Sequence, residues 1–405
     1  MIIKKCRNCQ SRELSKLFSL GSLSFTGKFA NNKKINIPKA KIILMICNNC
    51  KLVQLDRNFN PKYLYGKDYG YRTGINSTMT NHVKNIVKNL SQLVDLKNNS
   101  AVLDIGSNDG TLLNFYSKNV TRVGIDPTIK KYRKFYKQIN IAIPSFFNSG
   151  EIKRKIKKKF KIITALSMFY DLENPNKFLS EIHDLLDPEG IFCIEHADLY
   201  SIIKNNVFDT MCHEHLEYYS STVLIQMCKN NNLRIFKHQF NDTNGGSSRY
   251  LICHENSKYP HNKNYLEKLI SLEKKLGLNK KTTFKKFFKK INNIKLKTQT
   301  IIKKIIKQKK IIYGYGASTK GNVILQYFNI GKYIDYIADR NPLKFNKFTP
   351  GTKIKIISEE MARKNNPDFY FVLPWHFKTE ILKREKFAIK NGSKFIFALP
   401  KLNIN

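Results

Sequence analysis

Val102-Leu103-Asp104-Ile105-Gly106-Ser107-Asn108-Asp109-Gly110-Thr111-Leu112-Leu113 decides how the chain is read. Residues 101–105 are an apolar run of strand length, Gly106 to Gly110 make a turn, and Leu112 and Leu113 open the expected helix. A missing β-carbon at Gly106 lets a ligand approach the backbone, and the start of the following helix offers free N–H groups. A second strand, residues 121–126, ends in an acid and is stopped by Pro127. A carboxylate at that point lies where it can accept hydrogen bonds from both hydroxyls of a ribose. The loop is not G-x-G-x-x-G, so a nucleoside without phosphate is favoured over a dinucleotide. Asp104, Gly106, Asn108, Gly110 and Asp126 are therefore the candidate residues for an adenosine-bearing cofactor. A Rossmann-like turn with another ligand carries the same pattern.

Outward from this stretch, strand-like runs at 162–166 and 190–195 flank a helical segment at 176–186. That alternation predicts an α/β fold with a parallel sheet covered by helices. Runs at 233–236 and 249–253 fit an antiparallel addition. Upstream, a helix is expected over 76–96, with Val83, Ile86, Val87, Leu90 and Leu93 on its apolar face. Downstream, 264–310 is Lys-rich and helical, and includes Leu266, Leu272, Phe284, Phe287 and Ile291. A second strand, glycine loop and helix start occupies 311–321, and a strand at 333–339 again ends in an acid. Lys320 or the loop N–H groups are candidates to meet a diphosphate there; a glycine turn that only packs is the alternative. Arg249 is read either as a phosphate contact or as a surface charge. Trp375 is read as packing.

Four of the eight cysteines form two pairs, Cys6-Arg7-Asn8-Cys9 and Cys47-Asn48-Asn49-Cys50. Each C-x-x-C knuckle presents two thiolates from one tight turn, and two knuckles complete a closed tetrahedral zinc site. Such a site leaves no position for water, so the metal is expected to hold the fold. Cys193, Cys228 and Cys253 read as small buried residues.

The chain has 405 residues, too many for one ordinary core, so two or three domains are expected. Hydrophobic residues at 41% and aromatics at 12% exclude collagenous, low-complexity and disordered classes. No uncharged apolar run approaches the roughly 18 to 20 residues that cross a bilayer, and the first residues lack a signal-like apolar stretch. A cytoplasmic protein without a membrane partner is the expectation, and a monomer. The net charge of +42 points toward polyanions. Its excess is mostly scattered Lys that travels with Asn and Ile, the mark of A/T-rich codons, and no Arg-rich or aromatic-interleaved cluster stands out. A nucleic-acid groove is not expected; an anionic small substrate is.

A second constellation is Cys212-His213-Glu214-His215. The two His are not at i, i+4, so they do not offer two metal ligands from one helix face. A carboxylate beside an imidazole instead suits proton transfer, here removal of a proton from carbon next to a carbonyl.

The glycine segment resembles the first motif of class I S-adenosylmethionine-dependent methyltransferases. The whole chain resembles the deoxysugar C-methyltransferase family. The matching pieces are the two knuckles with Gln54-Leu55, Tyr69-Gly70-Tyr71-Arg72-Thr73-Gly74, the glycine motif, Glu195-His196, His213-Glu214-His215, Gly245-Gly246-Ser247-Ser248-Arg249, residues 313–321 and Pro350-Gly351-Thr352. The resemblance implies a zinc-binding module at 1–75, a Rossmann-like class I methyltransferase sheet at 76–260 and a C-terminal Rossmann-like nucleotide-sugar-binding domain at 261–405. It implies S-adenosylmethionine and structural Zn2+ as ligands, with Cys6, Cys9, Cys47 and Cys50 on the metal. It makes His215 the general base, with Glu214 beside it, and implies a nucleotide-linked 4-keto deoxysugar methylated at C3. Tyr71, Asp171, Cys212, Arg249 and Lys320 are the implied substrate contacts. Two positions depart from the family: Cys212 stands where Tyr is common, and Met168-Phe169-Tyr170-Asp171-Leu172 replaces a loop that commonly carries His. An RNA methyltransferase is the first rival, against which stands the lack of an Asn/Asp-Pro-Pro-aromatic turn after the fourth strand. A sugar-nucleotide-binding homologue without turnover is the second.

Overall fold

The computed structural model describes residues 1–65 and 69–405. Gly66, Lys67 and Asp68, part of the aromatic glycine-punctuated segment, lie outside the described residues.

Among the described residues, three sheets organise the fold. In the first, β1 (Leu14–Ser24), β2 (Lys39–Cys47) and β3 (Val53–Leu55) form an antiparallel meander. The second contains β4 (Ala101–Ile105), β5 (Thr121–Ile125), β6 (Ile141–Ile143), β7 (Phe160–Leu166) and β8 (Leu186–His196). After β8, a two-residue strand β9 (Glu217–Tyr218) leaves that sheet and pairs with β3, so the meander gains its fourth strand from far along the chain. Strands β10 (Leu233–Asn241) and β11 (Ser247–His254) complete the second sheet. Its order is β10-β11-β8-β7-β4-β5-β6, with β11 antiparallel to both neighbours. This is the seven-stranded class I methyltransferase arrangement, and the expected antiparallel addition is β11.

The third sheet holds β12 (Ile312–Tyr315), β13 (Tyr336–Asp339), β14 (Lys355–Ser358), β15 (Phe369–Val372), β16 (Lys394–Phe397) and β17 (Asn403–Ile404). Its order is β14-β13-β12-β15-β16-β17, and only the last pairing is antiparallel. The C-terminal part is thus Rossmann-like, as expected. The strand expected from residue 333 begins only at Tyr336, because Gly331–Tyr333 forms a 3-10 turn.

Strand order locates the two places where a ligand can enter. In an open parallel sheet the crevice lies beyond the carboxyl ends of the strands, where the order reverses. That point falls between β4 and β7 in the second sheet and between β12 and β15 in the third.

The helix expected after Gly110 is not formed; Leu113–Phe115 is a single 3-10 turn. A five-residue strand is about 17 Å long, and a helix running back beside it needs about 11 residues at 1.5 Å each. Residues 111–120 leave none for the turns. The first glycine loop therefore lacks the helix N-terminus that the sequence suggested. The upstream helix is Ser77–Leu93; it buries Val83, Ile86, Val87 and Leu90 and leaves Leu93 exposed. The Lys-rich region forms Lys263–Leu276 and Lys281–Lys307, with Phe284, Phe287 and Ile291 buried but Leu272 exposed. Among the described residues no helix is long and apolar enough to cross a membrane.

One apolar cluster ties the parts together. Leu20, Ile42 and Leu44 of the meander, Phe208 and Leu216 from the segment before β9, and Val323 and Phe328 near the third sheet all belong to it. Phe18 stacks on Phe288 at 4.8 Å between ring centroids. The meander is thus packed against the C-terminal part while bonded, through β9, to the methyltransferase part.

Candidate active site

The four Sγ atoms of Cys6, Cys9, Cys47 and Cys50 lie within 4.8 Å of one another, with Cys6–Cys50 and Cys9–Cys47 both at 3.5 Å. A zinc ion 2.3 Å from four sulfurs places them about 3.8 Å apart, so the cluster fits tetrahedral zinc. Gln54, on β3, donates to the Cys6 sulfur at 3.2 Å and accepts from the Arg7 N–H. The amide orients the knuckle and links it to β3, which pairs with β9.

From that pairing the His-Glu-His segment is held on three sides. His213 Nε2 lies 3.1 Å from the Ala40 carbonyl, and the His213 ring meets the edges of Phe25 and Phe59. Glu214 accepts from Thr26 Oγ1 at 3.1 Å and from the Gly27 N–H at 3.0 Å. Arg7, beside the zinc knuckle, lies 3.3 Å from the buried Glu217 carboxylate. His215 and Glu214 both reach the cavity wall. For His215 the geometry is specific. Its Nδ1 is 2.7 Å from the Thr210 carbonyl and its ring lies 4.0 Å from that of Tyr170. A carbonyl only accepts, so the proton sits on Nδ1 and the lone pair on Nε2. Burial, assisted by Lys320 and His196, pushes the His215 pKa down to about 3, which keeps the ring neutral and able to take a proton.

His215 opens onto a cavity of about 740 Å³ into which both reversal points lead. From the second sheet come Gly106, Ser107 and Asn108 after β4, Asp126 after β5, Met168 and Asp171 after β7 and Glu195 on β8. From the third come Ser318, Thr319 and Lys320 after β12 and Pro374 and His376 after β15. Tyr65, Tyr69 and Tyr71 also line the cavity.

At the β4 end, Gly106 has φ +74°, and a β-carbon there would sit 3.2 Å from Met168. Gly110, φ +75°, does not face the cavity; a β-carbon on it would strike Ile139 at 2.6 Å, so its glycine serves the turn. Asn108 donates to the Tyr71 carbonyl and accepts from the Thr73 N–H, while Asp109 accepts from Arg72 and the Gly74 N–H. The 71–74 segment is thereby fastened over the glycine turn. Asp126 accepts from the Asn108 N–H through Oδ2 and from the Thr128 N–H and hydroxyl through Oδ1. Only Oδ2 keeps room for a further donor. Burial raises Asp104 to about 7, against the pull of a 2.5 Å hydrogen bond from Thr164. A glycine turn, a carboxylate on the next strand and the nearby Phe146 and Phe147 fit an adenosyl group.

Two expected substrate contacts, Cys212 and Arg249, are placed differently from the sequence reading. Cys212 is fully buried in the apolar cluster and does not line the cavity. Arg249 is a wall support: its guanidinium is 2.8 Å from Glu195 and 3.4 Å from His82. Paired strands put Arg249 directly opposite Glu195, and His82 reaches the other Glu195 oxygen at 2.5 Å. Burial works against the Glu195 charge, yet His82 and Arg249 pull its pKa below the usual value. Lys320 does line the cavity, but its ammonium donates to the Asn244 carbonyl and lies 3.9 Å from Asp209. Tyr71 and Asp171 are both in the wall. Trp375 packs as expected and also donates to Asp209; a β-carbon on Gly245 would lie 2.5 Å from its ring, which accounts for a glycine there. His82, His376 and Tyr65 were not singled out from the sequence. The His in Pro374-Trp375-His376, just past β15, was the available signal for one of them.

The chain matches three families in succession. Residues 6–65 match a zinc binding domain, residues 76–238 a methyltransferase domain and residues 242–400 a C-methyltransferase C-terminal domain. The C-methyltransferase NovU of Streptomyces niveus is 26% identical over 406 residues, covering 98% of this chain and 96% of that protein. Among solved structures, an S-adenosylmethionine-dependent methyltransferase from Clostridium acetobutylicum covers 43% of this chain and 92% of its own, at 11% identity and a TM-score of 0.35. Magnesium protoporphyrin IX methyltransferase from Synechocystis, with bound SAH, covers 44% and 88%, at 14% identity and a TM-score of 0.34. The chain is thus a methyltransferase that carries, in order, matches to a zinc binding domain, a methyltransferase domain and a C-methyltransferase C-terminal domain, and it is similar from end to end to a C-methyltransferase.

Proposed function

We propose that this methyltransferase places its methyl group on carbon, at C3 of a nucleotide-linked 4-keto deoxysugar, with His215 as the base. One observation carries the reading: residues at both strand-order reversals line a single cavity, and His215, its Nδ1 held by the Thr210 carbonyl, lines it too. One reversal suits the adenosyl donor and the other a nucleotide, so the sugar lies between them. The division at 75 and 260 follows the same logic, with the zinc module setting the base and the C-terminal part holding the nucleotide. A reducing cytoplasm suits the four zinc thiolates, and a monomer contains every residue named.

S-adenosylmethionine supplies an electrophilic methyl group. The residues of this chain do the rest. Gly106, Asn108 and Asp126 would hold the adenosine end, while Asp104 and Gly110 shape the turn beneath it. Lys320 and the Ser318–Thr319 N–H groups receive the diphosphate; Ser318 already caps the helix Thr319–Tyr327. His215 Nε2 removes the proton from the carbon next to the keto group, which the carbonyl has made acidic. Glu214, anchored on Thr26 and Gly27 in the cavity wall, keeps the loop beside the base in register. Tyr71 and Asp171 bound the sugar, and Arg249 fixes Glu195 behind it.

His215→Ala removes the base and leaves the adenosyl end untouched. Exchange of the C3 proton in D2O should fall by at least about 100-fold, with S-adenosylmethionine affinity within about threefold of wild type by calorimetry. Loss of cofactor binding with exchange intact would take the role from His215.

A further inference from the structure

Asp171 has one oxygen with a partner and one without. Tyr65 donates its hydroxyl to Oδ2 at 2.6 Å, while Oδ1 is buried against solvent and meets no protein donor or acceptor among the described residues. The residue lies in the cavity wall next to Tyr170, whose ring covers His215. Around it stand Tyr65 and Tyr69, Tyr170 on its own turn, and Cys212, Glu214 and Glu217 from the His-Glu-His segment. Burial, with Glu214 nearby, holds its pKa well above the usual carboxylate value. With Oδ2 accepting from Tyr65, the place for a proton on this carboxyl is Oδ1.

We propose that Asp171 is a second catalytic residue, a neutral carboxylic acid whose Oδ1–H donates to the carbonyl oxygen of the acceptor while His215 takes the carbon-bound proton. This rests on the carbon-methylation reading above. The C–H bond breaks and its electrons form the carbon–carbon double bond. The carbonyl π electrons move onto oxygen, the proton resides on Nε2, and Asp171 stabilises the oxyanion without surrendering its own proton. After methylation the oxygen lone pair restores the carbonyl, and His215 releases its proton to water. A preorganised donor of this kind is worth about 10² to 10³ in rate.

The test is C3 proton exchange in D2O, without S-adenosylmethionine, on dTDP-, CDP- and GDP-linked 4-keto-6-deoxyhexoses. Wild type, Asp171→Ala and Asp171→Asn are compared at equal occupancy of the probe. Asn keeps a neutral donor in the same shape, so it should stay within about tenfold of wild type, while Ala falls by about 100-fold or more. Asn falling as far as Ala, or Ala exchanging at the wild-type rate, overturns the proposal. A wild type that exchanges none of the probes overturns the carbon-methylation reading itself, which is a different failure.

Discussion

At the scale of single residues, a carbonyl decides what His215 is. The 2.7 Å contact to Thr210 fixes the tautomer, and the dry setting beside Lys320 makes the charged ring unfavourable. The folded pKa lies below the ordinary 6.5, so the neutral, proton-accepting form persists as pH falls through 6.5 and is lost only near the lowered value. Exchange on a 4-keto nucleotide sugar should therefore be level from pH 8 to pH 6. A base titrating at its ordinary pKa would already be down about fourfold at pH 6, and that limb would count against the buried-base geometry. The motif His213-Glu214-His215 was legible in the sequence, but its division of labour was not. His213 and Glu214 bond to Ala40, Thr26 and Gly27, partners more than 170 positions away that no local spacing announces. Arg249 and Cys212 were hard to place for the same reason: Arg249 pairs with Glu195 on another strand, and Cys212 packs into an apolar cluster assembled from several elements.

At the scale of elements, β9 explains why a zinc module accompanies this site. The knuckles set Arg7 and Gln54, Gln54 lies opposite Glu217 across the β3–β9 pair, and the proposed base is two residues before β9. Arg7 also donates to the Leu55 and Arg57 carbonyls. Arg7→Ala strands the buried Glu217 and those carbonyls, a loss of about 3 kcal/mol in a urea or thermal unfolding experiment. A change below about 0.5 kcal/mol would mean that the guanidinium is not the tie between module and base. Strands were readable because apolar runs of their length recur between turns, and β4, β5, β7 and β8 all fall where the pattern placed them. The helix after Gly110 was misread because a strand–turn pattern does not reveal whether the return path is long enough, and β9 is too short to leave a pattern at all.

At the scale of the whole molecule, residues from two open sheets line one cavity, and a third sheet, beside the four-cysteine cluster, pairs with the strand that follows the His-Glu-His segment. The glycine loops before Leu112 and Gly321 marked both nucleotide-type crevices in the sequence; that they share one cavity follows only from packing, in which Trp375 lies against Gly245 and bonds Asp209. The net charge of +42 comes from Lys scattered along the whole sequence and not from one basic cluster. The decisive measurement is transfer from S-adenosylmethionine carrying a ¹³C-labelled methyl group to 4-keto nucleotide sugars, with the label located by NMR. The account predicts a methyl bonded to the ring carbon beside the carbonyl. Label on a sugar oxygen, or on RNA supplied in competition, would contradict it.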